Sequence, residues 1–313
     1  MCRALLYLGQ PVLLDHLLFQ PDSALIRQSY MPKMLHMLNL AGFGMKAWSA
    51  DSHEAAKPYS YGVTTLPVFD RNLKNLAEKV QADCLLAHVR GVAYNTGVDI
   101  SLQNVHPFQF DDVPLAMAHN GDLARINEMK PLLAAHVKAQ YLPNIRGTTD
   151  SEWIYALLVS QFDEPLEVRA GTHRRIDAAE IIDAVQRTLD ILRQVRAELG
   201  IATSSSVNLF IATGHQVAAV RYCFDFGCYT TAEPARVHEA NLSFLSLWYT
   251  VGHEYAFYDG EWTMRGGSSA DSVIIASEPL TRDTSSWVEV PEYGMLVADN
   301  ASGRPALTTR LLN

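Results

Sequence analysis

Met1-Cys2-Arg3-Ala4-Leu5-Leu6-Tyr7-Leu8-Gly9 opens the chain, and its reading decides the fold. Cys2 becomes the first residue once the initiator methionine is trimmed, and its thiol then sits beside its own free α-amine. Such an amine titrates at about 7.7 to 8.0, close enough to neutral pH to take the thiol proton as a general base. Nucleophile and base would then be one residue. Residues 4–9 are a short apolar run ending in glycine, which reads as a buried strand that fixes the N-terminus in place. A cysteine at position two is by itself a weak signal, so its weight depends on what accompanies it.

With 313 residues, 48% hydrophobic and 19% charged, the chain can bury a sizeable core and is unlike a disordered segment. There is no 18-residue apolar run, and the N-terminus lacks the basic-then-apolar pattern of a signal peptide. A cytoplasmic location with no membrane partner is therefore expected. A formal charge of −9 with no basic block argues against nucleic acid as a partner. The four cysteines, Cys2, Cys84, Cys223 and Cys228, follow neither a disulfide framework nor a zinc pattern and read as reduced thiols. The eleven histidines are scattered without a His-x-x-x-His pair, so neither metal nor cofactor is expected.

Residues 10–30 are punctuated by proline and read as a long ordered loop with a short helix. Gly42 and Gly44, ahead of alternating apolar residues, read as a turn entering a strand where the backbone is closely approached. Asp70 caps a helix with Leu73, Leu76, Ala77 and Val80 at helical spacing. Residues 84–90 form a buried strand that ends in Arg90. A guanidinium cannot sit unpaired in the interior, so Arg90 is expected to emerge there with its planar fork free for a carboxylate. The polar loop 91–110, with Asn95-Thr96-Gly97 and His106-Pro107-Phe108, is long enough to line a site.

After a short strand at 115–118 comes His119-Asn120-Gly121-Asp122. Asn-Gly is the commonest hairpin dipeptide, and a turn explains it. The sharper alternative is that an Asn amide and a Gly N–H side by side are the two kinds of donor an oxyanion hole uses. Gly147-Thr148-Thr149-Asp150-Ser151-Glu152 opens a helix with Trp153, Ile154, Leu157 and Leu158 on one face, and Thr149 and Glu152 have capping-box spacing. Asp150 is not needed for that cap, and a carboxylate in the first turn could accept a ligand's ammonium group. Residues 177–199 mark the longest helix, stopped by Gly200. The rest reads as β: 207–211 and 217–220 around Gly214-His215, then 246–251, a hairpin at Gly260-Glu261, 272–276, and 287–297. No repeat or linker divides the halves, so one domain over residues 1–313 is expected, two sheets with helices packed outside.

Met1-Cys2-Arg3, His88-Val89-Arg90, His119-Asn120-Gly121-Asp122 and Thr148-Thr149-Asp150-Ser151-Glu152, in this order, resemble the glutaminase domain of the class II glutamine amidotransferases, which are N-terminal-nucleophile hydrolases. Ser272-Val273-Ile274-Ile275-Ala276-Ser277-Glu278-Pro279-Leu280, with Trp287-Val288-Glu289-Val290-Pro291 after it, resembles the stand-alone branch of that family. The resemblance implies an α+β fold, a four-layer αββα sandwich of two mainly antiparallel sheets between helices, with Cys2 at the end of a central strand. It also implies roles. Cys2 would be the nucleophile, Asn120 and Gly121 the oxyanion hole, Arg90 the clamp for a substrate α-carboxylate and Asp150 the partner of its α-ammonium, with Thr149 and His88 also in the substrate site. Ala41 departs from the family pattern, which often has Asp there. The implied reaction cleaves the γ-amide of glutamine or another small γ-glutamyl compound through a Cys2 thioester. Two other readings fit the same fold: a glutaminase subunit that serves a separate synthase or peptidase partner, and a catalytically inactive binding module. Cys2, Arg90, Asn120 and Asp150 occurring together argue against the last.

Overall fold

The computed structural model describes residues 2–34, 38–92, 97–166, 175–227, 246–266, 270–300 and 305–312. Its first half runs β1 (Arg3–Leu13), α1 (Leu14–Leu18), β2 (Phe43–Trp48), β3 (Tyr59–Val63), α2 (Arg71–Ala77), β4 (Gln81–Val89) and β5 (Ala116–Gly121). Three helices follow, α3 (Ile126–Leu133), α4 (Asp150–Ser160) and α5 (Ala178–Glu198). The remainder is β6 (Ser205–Ala212), β7 (Gln216–Arg221), β8 (Cys223–Phe224), β9 (Trp248–Gly252), β10 (Glu254–Tyr258), β11 (Glu261–Arg265), β12 (Ser272–Ala276), β13 (Val288–Glu289), β14 (Gly294–Asp299) and β15 (Ala306–Leu311).

The strands form two antiparallel sheets. One has the order β13-β9-β12-β1-β4-β2-β3 and the other β15-β14-β7-β6-β5, with β8 joined to β6 and the β10-β11 hairpin apart. Side chains alternate across a strand, and this alternation builds the layers. Ala4, Leu6 and Leu8 of β1 meet Ala116, Ala118 and Phe210 between the sheets. Leu5 and Tyr7 point the other way, onto Leu14, Leu17 and Leu18 of α1 and Leu73 and Ala77 of α2. Met117, Leu209 and Ile211 on the far face of the second sheet meet buried residues of α3, α4 and α5. The result is the expected αββα sandwich. Strands buried on both faces need apolar residues on both, which is why β1 and β4 read as unbroken apolar runs.

Several local expectations hold. Asp70 Oδ1 accepts the N–H groups of Asn72 and Leu73, both at 3.0 Å, and caps α2. Asp177 caps α5 with Glu180 closing the box, and Gly200 beyond it has φ +61°. At Gly44 a Cβ would lie 2.2 Å from the His106 carbonyl oxygen, so the close approach expected at this glycine is real.

Others are corrected. The strand expected to end at Gly9 continues to Leu13, its register shifting between Leu8 and Val12, and the short helix expected within residues 10–30 is α1, which follows it directly. Asn120-Gly121 is not a turn: both residues lie in β5, paired with Asn208 and Val207. Residues 287–297 are two strands in different sheets, β13 and β14, separated by Pro291 and by Tyr293 at φ +55°. α4 is apolar on nearly every side rather than one, because it is buried along almost its whole length.

Candidate active site

The register of β1 on β4 assembles the first part of the site. Arg3 pairs with Val89 and Ala4 with His88, so one step further along the antiparallel ladder Cys2 stands opposite Arg90. Alternation does the rest. Cys2 continues the inward parity of Ala4, Leu6 and Leu8, His88 that of Cys84 and Leu86, and Asn120 that of Ala116 and Ala118. Three strand ends thus deliver their polar residues to one end of the space between the sheets, beyond the apolar filling.

Cys2 is buried to 8% exposure, and the Gly91 N–H points at its Sγ from 3.4 Å. The Cys2 carbonyl accepts from Arg3 Nη1 at 3.0 Å, and Arg3 in turn is ion-paired at 3.7 Å with Glu278, both side chains 1% exposed. Glu278 also accepts the backbone N–H groups of Lys33 and Met34, so the residue behind the nucleophile is held by a fully engaged buried carboxylate.

Arg90 does not emerge as expected. It is 4% exposed, and Nη1 donates to the Asp99 carbonyl at 3.0 Å. Burial lowers its pKa from the ordinary guanidinium value, while Cys2, Asp99 and Asp150 act in the opposite direction. Asn104, which nothing in the sequence singled out, ties this arginine's surroundings to the start of α4. Its amide donates to the Asp99 carbonyl and to Thr148 Oγ1, and its Oδ1 accepts the Thr148 N–H at 2.8 Å.

Thr149 caps α4, its hydroxyl accepting the Glu152 N–H at 3.3 Å. The box is not closed, because the Glu152 carboxylate turns to the N–H groups of Arg146 and Gly147. Asp150 is partly buried, and it accepts the Leu123 N–H and the Ser151 N–H, both at 2.8 Å. Its neighbour Asp122, another residue to which the sequence reading gave no role, has a carboxyl pushed up first by burial and then by Asp150. Two close carboxylates in a partly buried setting favour an arriving ammonium group.

Asn120 is 1% exposed. Its Nδ2 donates to Ser277 Oγ at 3.2 Å, and its Oδ1 is buried without a hydrogen-bond partner among the described residues. At Gly121 a Cβ would lie 1.9 Å from the Ser206 carbonyl oxygen and 2.4 Å from His119 Nε2, so only glycine fits. His88, expected in the substrate site, is fully buried and packs on His106 with ring centroids 4.1 Å apart. Burial and then Arg90 push its pKa down to about 3, so the ring is neutral. It backs the site rather than opening onto it. Met1, Asn95, Thr96 and Cys228 lie outside the described residues; Cys2, Cys84 and Cys223 are free thiols.

The model of the class II glutamine amidotransferase family matches residues 66–231, more than half of the chain, and spans Arg90, Asn120, Gly121 and Asp150. The chain belongs to the class II glutamine amidotransferases. A class II glutamine amidotransferase is an amidohydrolase-type enzyme, and a curated relative agrees: a probable glutamine amidotransferase of Saccharomyces cerevisiae is 29% identical over 308 residues, 95% of this chain and 81% of that one. Among solved structures, a glutamine aminotransferase class-II domain protein from Silicibacter pomeroyi superposes with TM-score 0.59 at 16% identity, covering 99% of each chain. The glutamine phosphoribosylpyrophosphate amidotransferase of B. subtilis gives 0.54 at 14% identity, covering 100% of this chain and 49% of that enzyme. At such identities the likeness is one of fold. Among the described residues no helix is long and apolar enough to cross a membrane.

Proposed function

We propose that residues 1–313 form one glutaminase-type domain that hydrolyses the γ-amide of glutamine or of a γ-glutamyl compound, with Cys2, freed of Met1, as nucleophile. The α-amine takes the thiol proton and the sulfur adds to the γ-carbonyl. The oxyanion is held by the Asn120 amide and the Gly121 N–H, while Arg90 holds the substrate α-carboxylate and Asp150 its α-ammonium. Collapse of the tetrahedral intermediate breaks the C–N bond, and the leaving nitrogen takes the proton from the enzyme's α-ammonium. Water, deprotonated by the same amine, then cleaves the thioester and restores the thiol. Each oxyanion donor is worth about 2.7 to 4 kcal/mol of barrier.

The observation that carries this reading is the β1–β4 register, which sets Cys2 opposite Arg90, with Asn120 reaching the same strand end through Ser277. The name of the yeast relative, a probable glutamine amidotransferase, supports the substrate class. The test is ammonia or amine release from glutamine and a panel of γ-glutamyl amides and peptides, run beside mass spectrometry of the N-terminus. Turnover is expected only in protein that has lost Met1. Full activity in protein that retains Met1, or no turnover of any γ-glutamyl compound by the trimmed protein, overturns the reading.

A further inference from the structure

Ser277 stands one residue past β12, where Ala276 pairs with Leu5, so the next rung of the ladder joins Ser277 to Ala4. Only half of that rung is backbone. The Ser277 N–H donates to the Ala4 carbonyl at 3.0 Å, but the Ala4 N–H donates to Ser277 Oγ, also at 3.0 Å. The Ser277 carbonyl is taken up by the Ser246 hydroxyl at 2.8 Å. Replacing a ladder bond by a side chain places a hydroxyl oxygen between the sheets, two residues from Cys2, in a residue that is 1% exposed. Asn120 Nδ2 donates to that same oxygen from the opposite sheet at 3.2 Å.

This bond is the only side-chain hydrogen bond of Asn120 among the described residues, and Oδ1 has none. The torsion that turns a terminal amide is soft and roughly two-fold, so without an anchor the amide is free to present either its N–H edge or its oxygen. An oxygen facing a developing oxyanion repels it. Because the amide is planar, anchoring one N–H fixes the direction of the other, and a donor aimed before the reaction needs no reorganisation during it.

Resting on the proposed role of Asn120 as an oxyanion donor, we infer that Ser277 is a positioning residue for the amide hydrolysis: its hydroxyl aims the Asn120 amide and locks that donor to the strand that carries Cys2. The role belongs to the transition state, since the ground-state carbonyl gains little from the donor's exact aim.

The test is a double-mutant cycle on the full chain with Met1 removed, reading ammonia release from glutamine and p-nitroaniline release from γ-glutamyl-p-nitroanilide. Loss of an oxyanion donor lowers kcat by about 100- to 1000-fold, so Ser277→Ala, which leaves the donor unaimed, is expected to lower kcat by about 10- to 100-fold with KM within about 3-fold. In an Asn120→Ala background the same change should lower kcat by less than about 3-fold, because nothing is left to aim. Equal losses in both backgrounds, or a loss in KM alone, overturn the inference and make Ser277 a plain structural residue. Wild-type kcat in Asn120→Ala overturns the underlying oxyanion reading instead, and turnover of neither substrate by the wild type overturns the proposed hydrolysis. Ser277→Cys keeps the side-chain size with a weaker acceptor, and it carries the same cycle if Ser277→Ala does not fold.

Discussion

At the scale of single residues, burial holds two of the described thiols protonated. Cys84 is fully buried and its pKa is pushed up to about 12, and burial also raises that of Cys223. Only thiolates react, so a glutamine analogue with an electrophilic carbon at the γ position should label Cys2 and spare both. Cys2→Ala removes one sulfur, with a stability loss on the order of 1 kcal/mol, and it should abolish turnover and labelling together. Peptide mapping decides the matter, since label on Cys84 or Cys223 removes Cys2 from its role. Arg90 gives a second prediction. It is held to the Asp99 carbonyl through one nitrogen, and a planar fork can keep that bond while offering its other edge to a carboxylate. A lysine cannot do both. Arg90→Lys should therefore raise KM by about 10-fold or more with a smaller change in kcat, the pattern of lost uniform binding. Unchanged kinetics would place the substrate carboxylate elsewhere.

At the scale of elements, β5 ends its sheet, paired along its length with β6 and bridged on its other edge only at Met117, to Phe108, among the described residues, and its last residue is Gly121. A methyl there would meet the Ser206 carbonyl, so Gly121→Ala should push the strand end off β6, lower stability by about 2 kcal/mol or more, and lower activity with it. Among the described residues nothing lies near the Cβ direction of Gly97, and Gly97→Ala should stay within about 0.5 kcal/mol. Denaturation midpoints of the two variants test the contrast. β1, β4 and β12 were legible because strands buried on both faces write themselves as apolar runs. Asn120-Gly121 was not settled by local sequence: the dipeptide's turn preference is overridden by pairing with Asn208 and Val207, residues far away in the chain. Distance also hid Asn104, which acts on Thr148, and Ser277, which reaches Asn120 across 157 positions. Residues 287–297 misled for the opposite reason, since an alternating pattern survives the turn at Tyr293 while the chain changes sheets.

At the scale of the whole molecule, the two sheets enclose an apolar filling at one end and a polar set at the other, and the polar set includes two buried histidines. The rings of His88 and His106 lie against each other with a tilt of 40°, and burial holds His88 down to about 3 and His106 well below its ordinary value. Arg90 pushes both in the same direction and His119 lowers His106, while on His88 a hydrogen bond with the His119 backbone acts the opposite way. In the unfolded chain each would titrate near its ordinary value of about 6.5. Between about pH 6.5 and the depressed folded values the unfolded chain therefore binds protons that the native state refuses, and stability falls as pH falls. The limiting slope is about 1.4 kcal/mol per pH unit for each histidine, with no contribution from either above pH 6.5. Asp122 and Glu152, whose carboxyls are raised by burial, act with the opposite sign at lower pH, so the steepest loss belongs between about pH 6 and 5. His106→Phe keeps an aromatic ring against His88 and Phe108 but cannot take a proton, so it should remove about half of that slope. Denaturant unfolding of both proteins from pH 8 to pH 4 reads this directly. Equal slopes in wild type and variant would mean that His106 is protonated in the folded protein, and that the end of the sandwich behind Arg90 is not the closed, neutral backing from which that arginine's charge can act on a substrate.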